Sequence, residues 1–308
     1  MSISNPFHDG ELAVQERAGQ RDTAILNSRM IADAIMPQAL AFIENQPWAI
    51  LGGPDAQGRL WCSTLLGEPG FMEPSRDGRE IRFDLQKAPV HPADPLLGSL
   101  TSGQALGALF IELATRRRLR ANGHVGGIAP DQLLLSVNES FPNCPRFIQP
   151  RAFEGSAPPS DLPALPRSGQ SLGQAEKALI QQADTFFLAS LHPERGVDAS
   201  HRGGKPGFME VIGDSLLRVP DYPGNGLFQT FGNLAVDARS GWVVPDFATG
   251  GQLQLSGQAR VVWDDPDPLA RTAGTHRFLE LDVTRWCWTP PAHGAPRWTF
   301  MDYSPLNP

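Results

Sequence analysis

The sequence "EPGFME" at residues 68–73 is followed by "KPGFME" at residues 205–210, so five residues recur with the opposite charge in front of them. The second copy lies 137 residues after the first, and the flanking sequences "STLLG" and "SHRGG" share their first and last residues at that offset. Recurrence at a fixed offset indicates an internal duplication.

A second alignment supports the duplication. At an offset of 134, "LRANGHV" at residues 119–125 matches "LQLSGQA" at residues 253–259, and a three-residue change in a loop explains the smaller offset. Each half then predicts the same order of elements: a helix, short β-rich runs, a Leu-rich helix and more strands. The sequence therefore predicts two copies of one unit.

Short β-branched and aromatic runs predict the fold class. They are separated by turn sequences such as "GPDAQG", "RDGR" and "GDS", which is typical of antiparallel sheet rather than of βαβ units. We expect a mainly β protein with helices (α+β), built from two small β-barrels with helices packed outside.

A proline-rich segment predicts the domain boundary. The sequence "FEGSAPPSDLPALPRSGQ" contains four prolines and cannot support a helix or a central strand. It divides the chain into a first half at residues 1–151, a linker at 152–171 and a second half at 172–308. Ser171 with Gln174 forms a capping-box pattern, which predicts a helix start after the linker.

Composition excludes several classes of function. The 308 residues carry a net charge of −7, which argues against a nucleic-acid-binding surface. No apolar run resembles a signal peptide or spans a bilayer, so we expect a soluble, cytoplasmic protein without a membrane partner. The three cysteines show no CxxC spacing and the histidines show no HExxH, which predicts reduced thiols and no metal site.

The two copies differ in chemistry. The second half has Arg202, Gly203 and Lys205 where the first half has two leucines and a glutamate. Two cations beside glycines predict an anion site in the second half alone, because glycine lets backbone N–H groups approach a ligand. The alternative is a glycine turn with solvated cations.

A loop farther along the chain favours the anion site. The sequence "PDYPGN" at residues 220–225 precedes a predicted helix with apolar residues at Leu227, Phe231 and Leu234. The N-terminus of a helix attracts phosphate through its free N–H groups and its dipole. Asn225 and Gly226 lie where the cap of this helix is predicted.

Several motifs carry a family resemblance. The sequences "ASHRGGKPGF", "PDYPGNGLFQTFGNL", "NCPRF", "NPFHDGELAVQERAG" and "TRRRLRANG" resemble the pyridoxamine 5′-phosphate oxidase-related family of FMN-binding split barrels, in its long duplicated form. The likeness extends over nearly the whole chain. It implies two tandem split barrels that form a pseudo-dimer, with FMN held by the second half and closed by the first.

The resemblance also implies site residues. Gln252, five residues before Gly257, matches a Q-x-x-x-x-G flavin contact of the family, and Arg118 is its counterpart in the first half. The "NCPRF" segment, which includes Cys144, would face the cofactor, and a buried structural cysteine is the alternative for Cys144. The cofactor residues expected in total are Ser200, His201, Arg202, Gly203, Gly204, Lys205, Pro206, Pro220, Asp221, Tyr222, Asn225, Gln252, Arg118 and Cys144.

The function expected from the resemblance is that of an FMN-dependent oxidoreductase acting on a small molecule. The electron donor would be NADH, NADPH or a separate reductase, and the chain would act as a pseudo-dimeric monomer or a homodimer. No side chain is identified as a catalytic acid or base. The alternative is a flavin- or haem-binding protein without catalysis, for storage, sensing or scavenging.

Three further patterns have simpler explanations. "GDSLL" at residues 213–217 spells the start of a GDSL hydrolase, but the DxxH pair of Asp198 and His201 precedes its serine, so a hairpin turn is the better prediction. "TRRRLR" at residues 115–120 is predicted to be a solvated basic run. A turn-stabilising role is the alternative for His201.

Overall fold

The computed structural model describes residues 6–158, 164–292 and 294–308. In this part of the chain it is mostly β-sheet with five α-helices, which confirms the expected fold class. The helices are α1 (Asp9–Arg17), α2 (Arg21–Ser28), α3 (Pro37–Glu44), α4 (Gln174–Gln182) and α5 (Gln229–Val236). None of the described helices is long and apolar enough to cross a membrane.

The first half forms a seven-stranded antiparallel sheet with the order β2-β1-β5-β6-β7-β4-β3. Its strands are β1 (Trp48–Pro54), β2 (Leu60–Leu66), β3 (Met72–Pro74), β4 (Glu80–Asp84), β5 (Ala105–Glu112), β6 (Arg117–Ala129) and β7 (Gln132–Pro142). The path of the sheet is open, so the barrel is split rather than closed.

The second half repeats this order as β11-β10-β14-β15-β16-β13-β12. Its strands are β10 (Thr185–His192), β11 (Gly196–Gly203), β12 (Glu210–Ile212), β13 (Leu216–Pro220), β14 (Arg239–Pro245), β15 (Gln252–Val262) and β16 (Phe278–Thr289). The strand order is therefore the same in the two halves, as the sequence alignment predicts. The hairpin predicted at "GDS" is present, because β12 and β13 pair around it.

The repeated "PGFME" sequence is a turn with the same geometry in both halves. Gly70 and Gly207 each have a φ of 91°, which glycine adopts without strain. In each copy the phenylalanine amide donates to the carbonyl of the residue before the proline, at 3.1 Å in the first half and 3.0 Å in the second. The five residues recur because this turn needs them, whereas the residue in front of them is exposed and free to vary.

The predicted linker contains two short strands. β8 (Arg151–Ser156) pairs with β17 (Pro296–Phe300) in a separate two-stranded sheet, and β9 (Arg167–Gly169) pairs with β16 at an edge. Residues 159–163 lie outside the described part. The capping box predicted at Ser171 is wrong, because α4 begins after Gly173 and no side chain caps it. Glycine fills the cap position with extended backbone instead.

The two sheets pack face to face through a shared apolar core. This core joins Trp48, Ile50 and Leu109 of the first half to Phe187 and Val243 of the second. Each half has a further apolar core of its own. The second half therefore covers a face of the first half that a single barrel would expose.

Glycines allow the close approach of the two sheets. A Cβ added to Gly52 would lie 2.6 Å from the Cβ of Ala189, and one added to Gly107 would lie 2.5 Å from the carbonyl oxygen of Val197. Ala189 is the counterpart of Gly52 at the offset of 137. Two equivalent positions thus meet each other, as they do on a twofold axis between two copies.

Candidate ligand-binding site

A pocket between the two halves collects most of the predicted site residues. The first half supplies β6 and the segment after β7, and the second half supplies the end of β11, the segment after β13 and the start of α5. The predicted residues that line it are Arg118, Cys144, Ser200, His201, Arg202, Gly203, Pro220, Asp221, Tyr222 and Asn225. Their contact with a cofactor stays a prediction.

Three arginines give the pocket its positive charge. Arg118 and Arg120 alternate along β6 and therefore share a face, and Arg202 comes from β11 in the other half. The Arg118 Nε donates to the Cys144 carbonyl at 2.8 Å, and an Arg202 Nη1 donates to the His201 carbonyl at 3.1 Å. Among the described residues, neither of these two guanidinium groups forms an ion pair.

Arg120 was missed by the sequence analysis, which placed it in a solvated run. It is 6% exposed and is held by three acceptors: Asp198 Oδ1 at 3.2 Å, Gln229 Oε1 at 3.0 Å and Ser200 Oγ at 2.5 Å. Strand periodicity could have found it, because it lies two residues after Arg118. The basic run is therefore partly a buried wall of the pocket.

Burial makes the cationic character of the pocket costly. It lowers the pKa of Arg118 to about 9, with smaller contributions from the repulsion of Arg120 and Arg202. Burial also lowers the pKa of Arg202, which the charge of Asp221 opposes. Because arginine stays protonated in proteins, these shifts report positive charge that the surrounding residues do not neutralise.

The carboxylate in the pocket wall is already paired. Asp221 forms an ion pair with Arg277 at 2.9 Å, and the Arg277 Nε donates to it at 3.0 Å. Burial raises the pKa of Asp221, while Arg277 and then Arg202 oppose that rise. Arg277, which the sequence analysis did not identify, thus satisfies Asp221 and leaves Arg118 and Arg202 free to meet an anion.

The start of α5 faces the same pocket. The helix begins at Gln229 after Phe228, whose φ of 58° is left-handed, and no side chain caps it. Gln229, Thr230 and Phe231 of its first turn line the pocket. A helix start has free N–H groups and a positive dipole end, so this turn adds to the attraction for an anion. Gly232 N–H is bonded to the Phe228 carbonyl and is not among them.

The N-terminal cap of α5 is at Phe228 and not at Asn225, where it was predicted. Asn225 precedes the helix by four residues, and its Oδ1 accepts from the Leu227 N–H at 3.2 Å in a local turn. Its carbonyl accepts from the Asn27 side chain at 2.6 Å. The loop is therefore longer than predicted, and Asn225 shapes the pocket rim rather than the helix start.

His201 is a neutral imidazole in the pocket wall. Its side chain is 3% exposed, and its Nε2 has no hydrogen-bond partner among the described residues. Burial lowers its pKa well below the ordinary value, and Arg118 and Arg202 lower it further. A neutral ring can donate or accept one hydrogen bond according to its tautomer, so it can adapt to a ligand.

Aromatic side chains line another side of the pocket. The rings of Phe147 and Tyr222 lie 4.7 Å apart, and burial raises the pKa of Tyr222 to about 12. The enclosed part of the pocket has a volume of about 130 Å³. This is below the roughly 300 to 1,000 Å³ of most cofactor pockets, so a large ligand needs these side chains to move.

Three predicted residues around the glycines lie outside the pocket lining. Lys205 is exposed in the turn after β11 and donates to the Pro308 carbonyl at 3.1 Å. Gly204 donates its N–H to the Asp184 carbonyl at 3.0 Å, and Pro206 belongs to the same exposed turn. The strand ends before these residues, so the chain has turned away from the pocket when it reaches them.

Gly203 is needed for packing. A Cβ at this position would lie 2.2 Å from the Phe147 carbonyl oxygen, which belongs to the first half. Packing therefore explains why glycine is needed here, without a contact between the backbone and a flavin. Gly203 allows the segment after β7 to close over β11, whereas a Cβ on Gly204 would lie 2.6 Å from the Phe208 ring.

Gln252 lies in the counterpart of the pocket rather than in the pocket itself. Its Oε1 accepts from the Thr64 N–H at 2.7 Å, and its Nε2 donates to Asp94 at 3.2 Å. The reason is that each half contributes this strand residue to the pocket of the other half. Arg118 of the first half therefore lines the pocket at the place where Gln252 was expected, and Gln252 lines the counterpart pocket. Gly257 of the Q-x-x-x-x-G motif sits in a β-bulge.

The counterpart pocket lacks the features of an anion site. Its enclosed volume is about 40 Å³, and no arginine or lysine is among the described residues that line it. Gln254, the counterpart of Arg120, donates to Ser63 at 2.7 Å just as Arg120 donates to Ser200. The first half also has a three-residue 3-10 helix, Leu97–Ser99, where the second half has α5.

No family model matches the chain, and no curated protein matches it significantly. The solved structures that it resembles include a HupZ variant from Group A Streptococcus, at 13% identity and a TM-score of 0.32, which covers 38% of this chain and 99% of its own. Another is a candidate pyridoxamine 5′-phosphate oxidase from Lactobacillus delbrueckii, at 17% identity and a TM-score of 0.31, covering 38% and 93%.

A third is an FMN-binding protein from Syntrophomonas wolfei, at 12% identity and a TM-score of 0.26, covering 37% of this chain and 88% of its own. Each of the three spans little more than a third of the chain. Their names agree with the family resemblance that the sequence motifs indicate. The identities and TM-scores are too low to transfer a function, which must be argued from the pocket.

Proposed function

We propose that the pocket between the halves binds the phosphate end of a flavin, with FMN as the ligand, and that the protein is an FMN-dependent oxidoreductase. One observation carries the proposal: two half-buried arginines, Arg118 and Arg202, form no ion pair among the described residues and line the same pocket as the start of α5. Charged hydrogen bonds to phosphate oxygens would satisfy both.

The residues present fit the phosphate better than they fit the flavin ring. Guanidinium groups and a helix start are the groups that proteins use to hold phosphate. The enclosed volume of about 130 Å³ accepts a phosphate, whereas the ring needs space that Phe147 and Tyr222 now fill. Rotation of these two side chains would open that space and offer aromatic surface to the ring.

The chemistry would come from the cofactor. A bound flavin supplies hydride transfer, and the protein supplies binding, orientation and local charge. His201 can offer one hydrogen bond from the pocket wall, and its low pKa keeps it neutral near pH 7. Asp221 is held by Arg277 and is poorly placed to move a proton. The substrate and the electron donor, for which NADH or NADPH is the first candidate, stay open.

The absorption spectrum of the purified protein, followed by titration with FMN, tests the proposal. A flavin band, or quenching of FMN fluorescence on titration, supports flavin binding. Reduction of the bound flavin by NADH or NADPH and its turnover supports the oxidoreductase, while flavin that neither donor reduces favours a binding protein. A haem Soret band in place of flavin would contradict the proposal.

A further inference from the structure

A second cleft lies beside the pocket and is lined by carboxyl groups. Its volume is about 560 Å³, and it is separated from the pocket by the ion pair of Arg120 with Asp198. Gln229 borders both. The carboxyl groups that line this acidic cleft come from α1, β7, β11 and the turn before β11: Glu11, Glu139, Asp198 and Glu194.

Two of these carboxyl groups form no ion pair with a lysine or an arginine among the described residues, although the His8 Nε2 lies 3.5 Å from the Glu11 Oε2. Asp198 is balanced by Arg120, and Glu194 is exposed at the rim. Glu11 accepts from the His8 N–H at 2.9 Å, and Glu139 accepts from the Asn122 Nδ2 at 3.2 Å. Neither pairs with a lysine or an arginine in the described part of the chain, although Glu11 is 5% exposed.

The other charged and titratable groups around the cleft do not neutralise this pair. Arg195 donates to the Pro6 carbonyl at 2.8 Å and lies at the exposed rim. His8 accepts from the Gly10 N–H at 3.1 Å, which requires an unprotonated Nδ1, and burial lowers its pKa. His124 is exposed beside Asn138, and the ring of His192 lies 4.1 Å from that of His8 at a tilt of 41°.

Burial and mutual repulsion protonate the two glutamates. Burial raises the pKa of Glu11 to about 8, with repulsion from Asp198 and Glu139 adding to the shift. Burial raises the pKa of Glu139 to about 7, and Asp198 again adds to it. Both pKa values are raised because burial outweighs the weaker stabilisation of the ionised forms by Arg195 and, for Glu139, by Arg120.

A neutral side chain of the cleft has a hydrogen-bond acceptor without a donor. The Asn122 side chain is 7% exposed and lines the cleft, and its Nδ2 donates to both Glu139 and Asp198. Its Oδ1 is buried without a hydrogen-bond partner among the described residues. A buried acceptor without a donor is destabilising, so a ligand that brings an N–H group to this atom would be favoured.

We propose that the acidic cleft binds a small organic cation, an alkylammonium with several N–H donors. Such a ligand supplies a positively charged partner for Glu11 and Glu139 and a hydrogen-bond donor for the Asn122 Oδ1. No cluster with the geometry of a metal site occurs among the described residues, which favours an organic cation over a metal ion. This inference does not depend on flavin binding in the neighbouring pocket.

The proposal predicts that binding releases protons. An ammonium group beside Glu11 and Glu139 favours their ionised forms, so each proton present before binding is lost on binding. With pKa values of about 8 and 7, roughly one proton should leave per ligand bound at pH 7. Affinity should therefore rise with pH, by about a hundredfold or more between pH 6.0 and pH 8.5.

Calorimetric titration of the full chain with 1,4-diaminobutane tests this, and 1,4-butanediol is the neutral probe of the same shape. The expected result is saturable binding of the diamine at pH 8.5, binding weaker by about a hundredfold or more at pH 6.0, and no binding of the diol. Repeating the titration at pH 7 in two buffers of different ionisation enthalpy measures proton release on the unmodified protein.

Variants locate the site. The double variant Glu11→Gln, Glu139→Gln should lose at least tenfold in affinity and lose the proton release, because glutamine keeps the shape but not the charge. Glu16→Gln, the same change on the exposed side of α1, should bind as the unmodified chain does. No saturable binding at pH 8.5, equal binding of the diol, or no proton release at pH 7 would each overturn the proposal.

Discussion

At the level of single residues, three arginines separate the pocket from its counterpart. At the offsets of the repeat, Arg202 corresponds to Leu65, while Arg118 and Arg120 correspond to two glutamines. Leu65 packs in the core of the first half, and the glutamines satisfy local backbone and side-chain groups. The neutral residues show that this backbone folds without the charges, and Arg120 is paired with Asp198, so the charges of Arg118 and Arg202 are left to be explained by a ligand.

Arg202→Leu replaces the arginine of the pocket by the residue type that the first half has at the matching position, Leu65. We expect FMN affinity to fall by about ten- to a hundredfold, because one charged hydrogen bond contributes roughly 1.5 to 3 kcal/mol. The melting temperature without ligand should not fall, since the change removes a buried cation that has no carboxylate partner. Fluorescence quenching and a thermal melt measure the two effects.

Lys205→Glu is the matched control for Arg202→Leu. It also introduces the residue type of the first half, Glu68, at the matching position of the second half. Lys205, however, is exposed and donates to the Pro308 carbonyl outside the pocket. FMN affinity should stay within about twofold, since solvent and salt screen an exposed charge. A large loss with Lys205→Glu and none with Arg202→Leu would refute the placement of the phosphate.

Glu11 makes the stability of the protein depend on pH. Its pKa is raised to about 8 in the folded chain, so its contribution to folding is complete below the unfolded pKa near 4.5 and is lost as pH rises through 8. The free energy of unfolding of Glu11→Gln should therefore decline less between pH 5 and pH 8.5 than that of the unmodified chain.

Urea unfolding at pH 5.0 and pH 8.5 measures this difference. Glutamine at this position can still accept from the His8 N–H, so the capping box at the start of α1 is preserved. Glu16→Gln, on the exposed side of the same helix, should keep the decline of the unmodified chain. Equal declines in all three proteins would show that Glu11 ionises as an ordinary carboxyl does.

At the level of elements, the contact of α1 with α5 positions both candidate sites. A Cβ on Gly10 would lie 2.3 Å from the Gly232 carbonyl oxygen, and one on Gly232 would lie 2.4 Å from the Glu11 Cγ. The two helices therefore touch through glycines. This contact places Glu11 at the acidic cleft while the first turn of α5 faces the pocket.

Gly232→Ala should lower the free energy of unfolding by about 1 to 3 kcal/mol, the usual cost of forcing atoms into a packed contact. The helix propensity of alanine opposes this loss only in part. Gly224→Ala is the control, because nothing lies within 4 Å of an added Cβ there. Its stability should be unchanged or slightly higher, and equal effects of the two changes would contradict the close helix contact.

Sequence reasoning found the elements whose signals are local. The repeat, the "GDS" hairpin and the pocket residues of β11 follow from turn chemistry and alignment. The sequence could not show that Arg118, and not Gln252, lines the pocket, because this depends on how the two halves face each other. The pairing of Arg277 with Asp221 joins residues 56 positions apart and leaves no local pattern.

At the level of the whole molecule, the two halves form one structure with one complete pocket. The shared core joins the sheets, and β8 pairs with β17 from the far end of the chain. Each half supplies residues to the pocket of the other. The pocket therefore requires both halves, whereas no arginine or lysine is among the described residues that line its counterpart.

Limited proteolysis tests how firmly the halves are joined. The proline-rich composition predicts cleavage within residues 157–166, between β8 and β9. After this cut the two fragments should elute together in gel filtration, because the shared apolar core and the β8–β17 pairing remain. Elution of the fragments as two separate folded domains would contradict the pseudo-dimer.

The stoichiometry of FMN binding tests the central claim most directly. Of the two pockets, as the described residues line them, the one formed by Arg118, Arg202 and the start of α5 has the charge to hold a phosphate, and its counterpart has leucine and glutamine at the matching positions. Titration of the protein at a concentration well above the dissociation constant should therefore saturate at one FMN per chain. Two equivalent sites per chain, or no binding at all, would contradict the account.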